Sequence, residues 1–141
     1  MNIKKTIASL VFIGALFFSI STPTYASGFW EGYWFTLRGG QDESMTSAHY
    51  RSTSSSSNPW GLGVYQSDEG NGSYYTAYLL GQKNAAAASP EATAYTGPAY
   101  PYVYTGTYWN ANKTNVRMVM FNPEWTWNTP RVTGSWNHQV W

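Results

Sequence analysis

From Phe29 onward, apolar and polar side chains alternate with a period of two, the spacing of strands with one buried face. Phe29–Leu37 predicts a first strand, with Phe29, Glu31, Tyr33, Phe35 and Leu37 on one face and Trp30, Trp34 and Thr36 on the other; Gly39-Gly40 ends it. Ala48–Thr53 predicts a second, followed by a polar turn at Ser54–Pro59. In Trp60–Gln66, Trp60, Leu62 and Val64 oppose Gly61, Gly63 and Tyr65. The turn Asp68–Ser73 leads into a strand over Ser73–Leu80, since Gly and Asn accept the positive φ of a tight turn.

Gly81–Pro98 breaks the pattern. Pro90 and Gly97-Pro98 bound its AAAASPEA centre, so a surface loop with at most one helical turn is expected. Strand chemistry resumes over Tyr100–Tyr108, pauses at the polar turn Asn110–Thr114, and returns as Val116, Met118 and Met120 alternate with Arg117, Val119 and Phe121. Beyond the Pro-bounded loop Asn122–Pro130, the segment Arg131–Trp141 sets Val132, Gly134, Trp136, His138 and Val140 against Thr133, Ser135, Asn137 and Gln139. About seven short strands with regular turns predict an all-β domain, a single antiparallel β-sandwich or small barrel. Trp60, Val64, Leu79, Val116, Met118, Val132, Trp136 and Val140 are its expected core.

The N-terminus reads differently. Lys4 and Lys5 precede the uncharged, mostly apolar run Ile7–Ile20; Thr22-Pro23 breaks a helix, and Thr24-Tyr25-Ala26 offers small residues around a cleavage point. The run is shorter than the roughly 20 apolar residues of a spanning helix. A cleaved signal peptide over 1–26 and one secreted domain over 27–141 are therefore expected, with no transmembrane anchor left. The chain has no cysteine, so no disulfide framework supports the domain, as in many exported proteins of Gram-positive bacteria. No cysteine follows the leader to carry a lipid, and Trp141 closes the sequence without a sorting motif. A released or loosely wall-associated protein is the expectation.

Without Lys4 and Lys5, six of the eight Lys and Arg face seven Asp and Glu. That balance gives no footprint for nucleic acid or an anionic membrane. The chemistry-bearing residues are few. There is no cysteine and no G-x-S-x-G elbow, and His49 and His138 stand alone in the sequence. His138 reads as half-buried on the inner face of the last strand, His49 as a rim residue. Two isolated histidines make no zinc set, and the DEGNG turn at 68–72 lacks the alternating acids of a calcium loop. Neither metal nor cofactor is expected. Glu31 and Glu124 are the acids set among aromatics (FWEGYW and PEWTW), and they form the one carboxylate pair worth testing for glycosidase chemistry. The inventory as a whole favours a protein that is not an enzyme.

The aromatic content is the unusual feature. All eight Trp and eleven of the twelve Tyr lie beyond residue 26, more than a small sandwich needs inside. Trp and Tyr combine a flat apolar face with a polar edge, which suits stacking on sugar rings or an interfacial membrane position. Trp125 and Trp127, two apart in the loop Asn122–Pro130, are the candidate anchors, with Glu124 as polar partner and Trp30 and Trp34 as further contacts. The alternative is that these rings cap the core.

Several stretches together resemble a known family. Tyr50-Arg51-Ser52-Thr53, Asn58-Pro59-Trp60, Ser67–Gly72 leading into Tyr75–Leu79, Asn112–Arg117 and Val132–Trp136 follow the order of small secreted Gram-positive proteins filed as domain of unknown function 2712. The family has no assigned activity, so the resemblance transfers no site. Its members are often encoded beside transport genes of bacteriocin type, which implies an envelope-acting, bacteriocin-like role. The alanine run 85–88 and the tryptophans at 125, 127 and 141 depart from its pattern. Two binding functions follow: a secreted non-enzymatic antagonist contacting a cell-envelope component, or a carbohydrate-binding, wall-associated module.

Overall fold

A computed structural model describes residues 30–82, 84–98 and 102–140; the expected signal peptide and Phe29 lie outside them. Nine strands run in chain order: β1 Glu31–Thr36, β2 Ser44–Met45, β3 His49–Arg51, β4 Trp60–Ser67, β5 Tyr74–Gly81, β6 Ala92–Tyr95, β7 Val103–Thr105, β8 Thr114–Phe121 and β9 Arg131–Asn137. A single 3-10 turn, Trp109–Ala111, is the only helical element among the described residues. The strands form two antiparallel sheets. One has the order β1-β9-β4-β7; the other has β2-β8-β5-β6, with β3 also paired to β8.

The core is the layer between the sheets. Tyr33, Trp60, Leu62, Val64, Val132 and Trp136 from the four-stranded sheet meet Tyr75, Leu79, Val116, Met118 and Met120 from the other. These are the positions that the period-two pattern turns inward, and at roughly 1.5–3 kcal/mol per large apolar side chain their burial drives folding. Of the expected core only Val140 is not fully buried. Strand β9 stops at Asn137, and Val140 then belongs to a tail whose N–H donates to the Pro59 carbonyl at 2.8 Å.

Two expectations are corrected. Gly81–Pro98 is not only a loop: Ala92–Tyr95 pairs with Tyr74–Ala77 as edge strand β6. Alanine is a weak strand former, but Ala92 and Ala94 are buried against the other sheet, and packing overrides the propensity. Tyr100–Tyr108 yields only the short β7, residues 99–101 lying outside the described set. With β2 and β6 added to the expected strands, nine stand among the described residues.

Gly134 shows how closely the inner face is fitted. The Tyr33 ring crosses it to donate a hydrogen bond to the Gly63 carbonyl at 2.9 Å. A Cβ at 134 would collide with both the Gly63 oxygen and the Tyr33 hydroxyl. Burial pushes the Tyr33 phenol well above its ordinary range, so it stays a donor at any physiological pH.

Candidate functional site

The outer face of the four-stranded sheet gathers five of the eleven exposed aromatic side chains among the described residues: Trp30, Trp34, Tyr65, Tyr102 and Tyr104. Register places Gly32 and Gly63 on either side of Ser135, and Gly61 between Asn137 and Tyr104. With glycine at three of these outward positions, the sheet has an almost bare floor on which large rings can lie. Trp30 crosses the floor: its Cη2 comes within 2.6 Å of where a Cβ on Gly61 would stand. Its ring packs 4.4 Å from Tyr102 and 6.2 Å from Tyr104, centroid to centroid. Residue Tyr65 falls at the register break between Val64 and Gln66, and such a bulge re-aims a side chain. Its hydroxyl bonds Ser135 Oγ at 2.5 Å and lies 3.4 Å from the Tyr102 hydroxyl, a contact that raises the Tyr102 phenol.

Together these rings form a shallow outer layer that buries Ser135 and Asn137, although both point away from the core. Trp34, at 73 % exposure, belongs to the same face and stands largely open to solvent. Between Trp34 and the Trp30 cluster lies Gly32, exposed, with no atom nearer than 3.9 Å to a Cβ built there. The result is a notch with a tryptophan to each side and the Tyr102–Tyr65–Ser135 hydroxyls behind it. From Trp30 to Trp34 the strand spans roughly 13 Å, wider than one sugar ring. At the far end of the face Arg131 and Asp68 pair at 3.2 Å, and exposed Arg38 follows Trp34 and Thr36 on the same side of the chain.

The sequence candidates scatter over the molecule. Trp125 and Trp127 are exposed, at 74 % and 86 %, and make no ring contact with each other. Their loop is held by Gly40 N–H donating to the Thr126 carbonyl (2.8 Å) and by Gln41 Nε2 donating to the Pro123 carbonyl (2.7 Å). Glu124 accepts from the Tyr74 hydroxyl, raising that phenol. Trp30, by contrast, is mainly a packing residue of the outer layer. Tyr65, Tyr102, Tyr104 and Gly32 were not among the residues the sequence singled out. Glycines alternating with aromatics in WGLGVY and FWEGYW were the available signal, since small outward residues on adjacent strands leave room for rings.

Glu31 and Glu124 do not form a pair. Glu31 opens β1 opposite Trp136, whereas the Glu124 loop docks beyond the other end, where Leu37 N–H meets the Pro130 carbonyl at 3.0 Å. About 20 Å of strand lies between those ends, against the roughly 5–10 Å of glycosidase carboxylates. Glu31 instead contacts His49 Nε2 at 2.8 Å and so bridges the two sheets. Ser47 Oγ bonds the same ring nitrogen at 3.0 Å. A Ser–His–acid relay needs the acid on one nitrogen and the serine on the other, and this arrangement does not supply it.

His138 stacks on His49 with ring centroids 5.7 Å apart. Burial, then the neighbouring His49 and Arg51, lowers its pKa to about 4, so it is neutral at pH 7. Arg51 beneath it is fully buried without a carboxylate partner and donates to the carbonyls of Asn58 and His138 and to Thr107 Oγ1. This cluster ties loops together. No group of three or more His, Cys, Asp or Glu suited to a metal ion occurs among the described residues. Compared with known protein families and with characterised protein sequences, the chain matches none.

Proposed function

We propose that the protein is a secreted, non-enzymatic module that binds a neutral polysaccharide of the cell envelope through the outer face of its four-stranded sheet. The observation that carries this reading is Trp34, 73 % exposed, beside the Gly32 notch on a sheet face lined with tyrosine hydroxyls. A sugar ring stacked on such a surface takes apolar area of both faces out of water, at roughly 25 cal/mol per Å². The hydroxyls of Tyr65 and Tyr102 supply the polar edge that a sugar requires, and the rings at the centre of the face carry no charge, which favours a neutral polymer over an anionic one. Secretion is supported by the n–h–c order of residues 1–26. The resemblance to the family of domain of unknown function 2712 is compatible with this role and assigns no activity.

The antagonist reading shares the contact chemistry and differs in outcome. Sedimentation of the protein with insoluble neutral glucan or mannan, beside growth assays on Gram-positive indicator cells, separates the two. Saturable binding without growth inhibition is expected. Killing at low concentration with no polysaccharide retention would replace this reading by the bacteriocin-like one.

A further inference from the structure

The outer face of the five-stranded sheet holds a second site of different chemistry. A groove of about 530 Å³ opens there, with Leu80 and Phe121 in its floor and Tyr108 at its side. Its wall is preformed: Ala88 N–H donates to the Leu79 carbonyl at 2.6 Å, and Gly81 N–H to the Ala86 carbonyl at 2.9 Å. Glu43 and Glu91 both line the groove. The Tyr78 hydroxyl donates to Glu43 Oε1 at 2.7 Å, and the same phenol feels the Glu91 charge. Desolvation, the Glu43 bond and the two carboxylates together raise Tyr78 to about 12.

Two carboxylates thus line a groove of mixed polar and apolar walls whose lining, among the described residues, includes no Lys, Arg or His. Arg117, opposite Leu80 on β8, makes no ion pair with either glutamate. An apolar floor topped by carboxylates is the complement of an alkyl stem that ends in a cation. We propose that this groove binds the lysine side chain of a peptide, with its methylenes on Leu80 and Phe121 and its ammonium donating to Glu43 and Glu91. Lysine fits because its charge is a compact point at the end of a flexible four-carbon stem. The site is independent of the aromatic face on the other sheet.

The test is an NMR titration of the ¹⁵N-labelled protein with acetyl-Ala-Lys-Ala-amide, and with the same peptide carrying norleucine, which keeps the alkyl chain but not the charge. Saturable shifts centred on Tyr78 and Phe121, with the lysine peptide bound at least tenfold tighter, are expected. Glu43→Gln and Glu91→Gln should each weaken lysine binding at least fivefold while leaving the melting temperature unchanged, since a glutamine amide oxygen in place of the Glu43 carboxylate still accepts from Tyr78. Equal binding of the two peptides, shifts confined to other surfaces, no saturation, or a response to calcium alone would each overturn the proposal.

Discussion

Arg51→Met probes an unusual feature of the interior. The guanidinium is fully buried and meets main-chain carbonyls and a hydroxyl in place of a carboxylate. Nη1 donates to the His138 carbonyl at 2.6 Å, and Nη2 donates to the Asn58 carbonyl and to Thr107 Oγ1 at 3.2 Å. Burial lowers its pKa to about 10, so it is still charged at neutral pH. Methionine nearly conserves volume but leaves three acceptors without a donor. Each buried unsatisfied group costs about 1–3 kcal/mol, while removing a desolvated cation returns part of that sum. A net loss of roughly 2–4 kcal/mol follows. At about 4 °C per kcal/mol for a domain of this size, the melting temperature should fall by roughly 8–16 °C in a circular-dichroism melt at pH 7. Arg51→Lys should recover only part of the loss, because one ammonium cannot span carbonyls on both sides. A methionine variant as stable as the wild type would refute the idea that Arg51 fastens the 58–59, 107 and 138 segments together.

Other outcomes are equally specific. Gly134→Ala forces the Tyr33 ring off its hydrogen bond to Gly63 and overlaps that carbonyl; overpacking and the lost bond should cost roughly 3–5 kcal/mol in urea denaturation. Gly32→Val should keep full stability, since nothing lies within 3.9 Å of the new Cβ, yet abolish polysaccharide retention by filling the notch. The His138 pKa lies below the ordinary 6.5 in the folded protein, so the unfolded chain takes up the proton first as pH falls. Its contribution is neutral above about pH 6.5, destabilises progressively down to about pH 4 and is complete below that. The difference in urea midpoint between wild type and His138→Gln should follow that window.

Much of this architecture is legible in the sequence because each face of each strand has a distinct solvent. Trp60-Gly61-Leu62-Gly63-Val64 fixes β4, and Val132-Thr133-Gly134-Ser135-Trp136 fixes β9, by period alone. Strand β6 escapes that test because Ala92 and Ala94 carry little apolar signal and owe their form to pairing with β5. The site was legible only as composition. An excess of aromatics foretold exposed rings, and Trp34 was among those named, but which rings share a face depends on register. Trp30 and Tyr102 are 72 positions apart in sequence, and their contact follows from β1 and β7 flanking the same sheet. Neighbours in sequence, such as Trp125 and Trp127, attract attention for their spacing, while long-range pairing decides what assembles.

The central claim, that the outer aromatic face holds a neutral polysaccharide, is tested most directly by comparing Trp34→Ala with Trp125→Ala/Trp127→Ala on one polymer by isothermal titration calorimetry. Covering about 100 Å² of the Trp34 ring at 25 cal/mol per Å² gives about 2.5 kcal/mol, and ordering of the ligand reduces what is observed. Trp34→Ala should therefore weaken binding by roughly tenfold to fiftyfold with the melting temperature within about 2 °C of wild type, exposed substitutions being nearly neutral for stability, and the loop variant should bind as the wild type does. Loss of binding in the loop variant with Trp34→Ala unaffected would contradict the account and move the contact to the 122–130 loop.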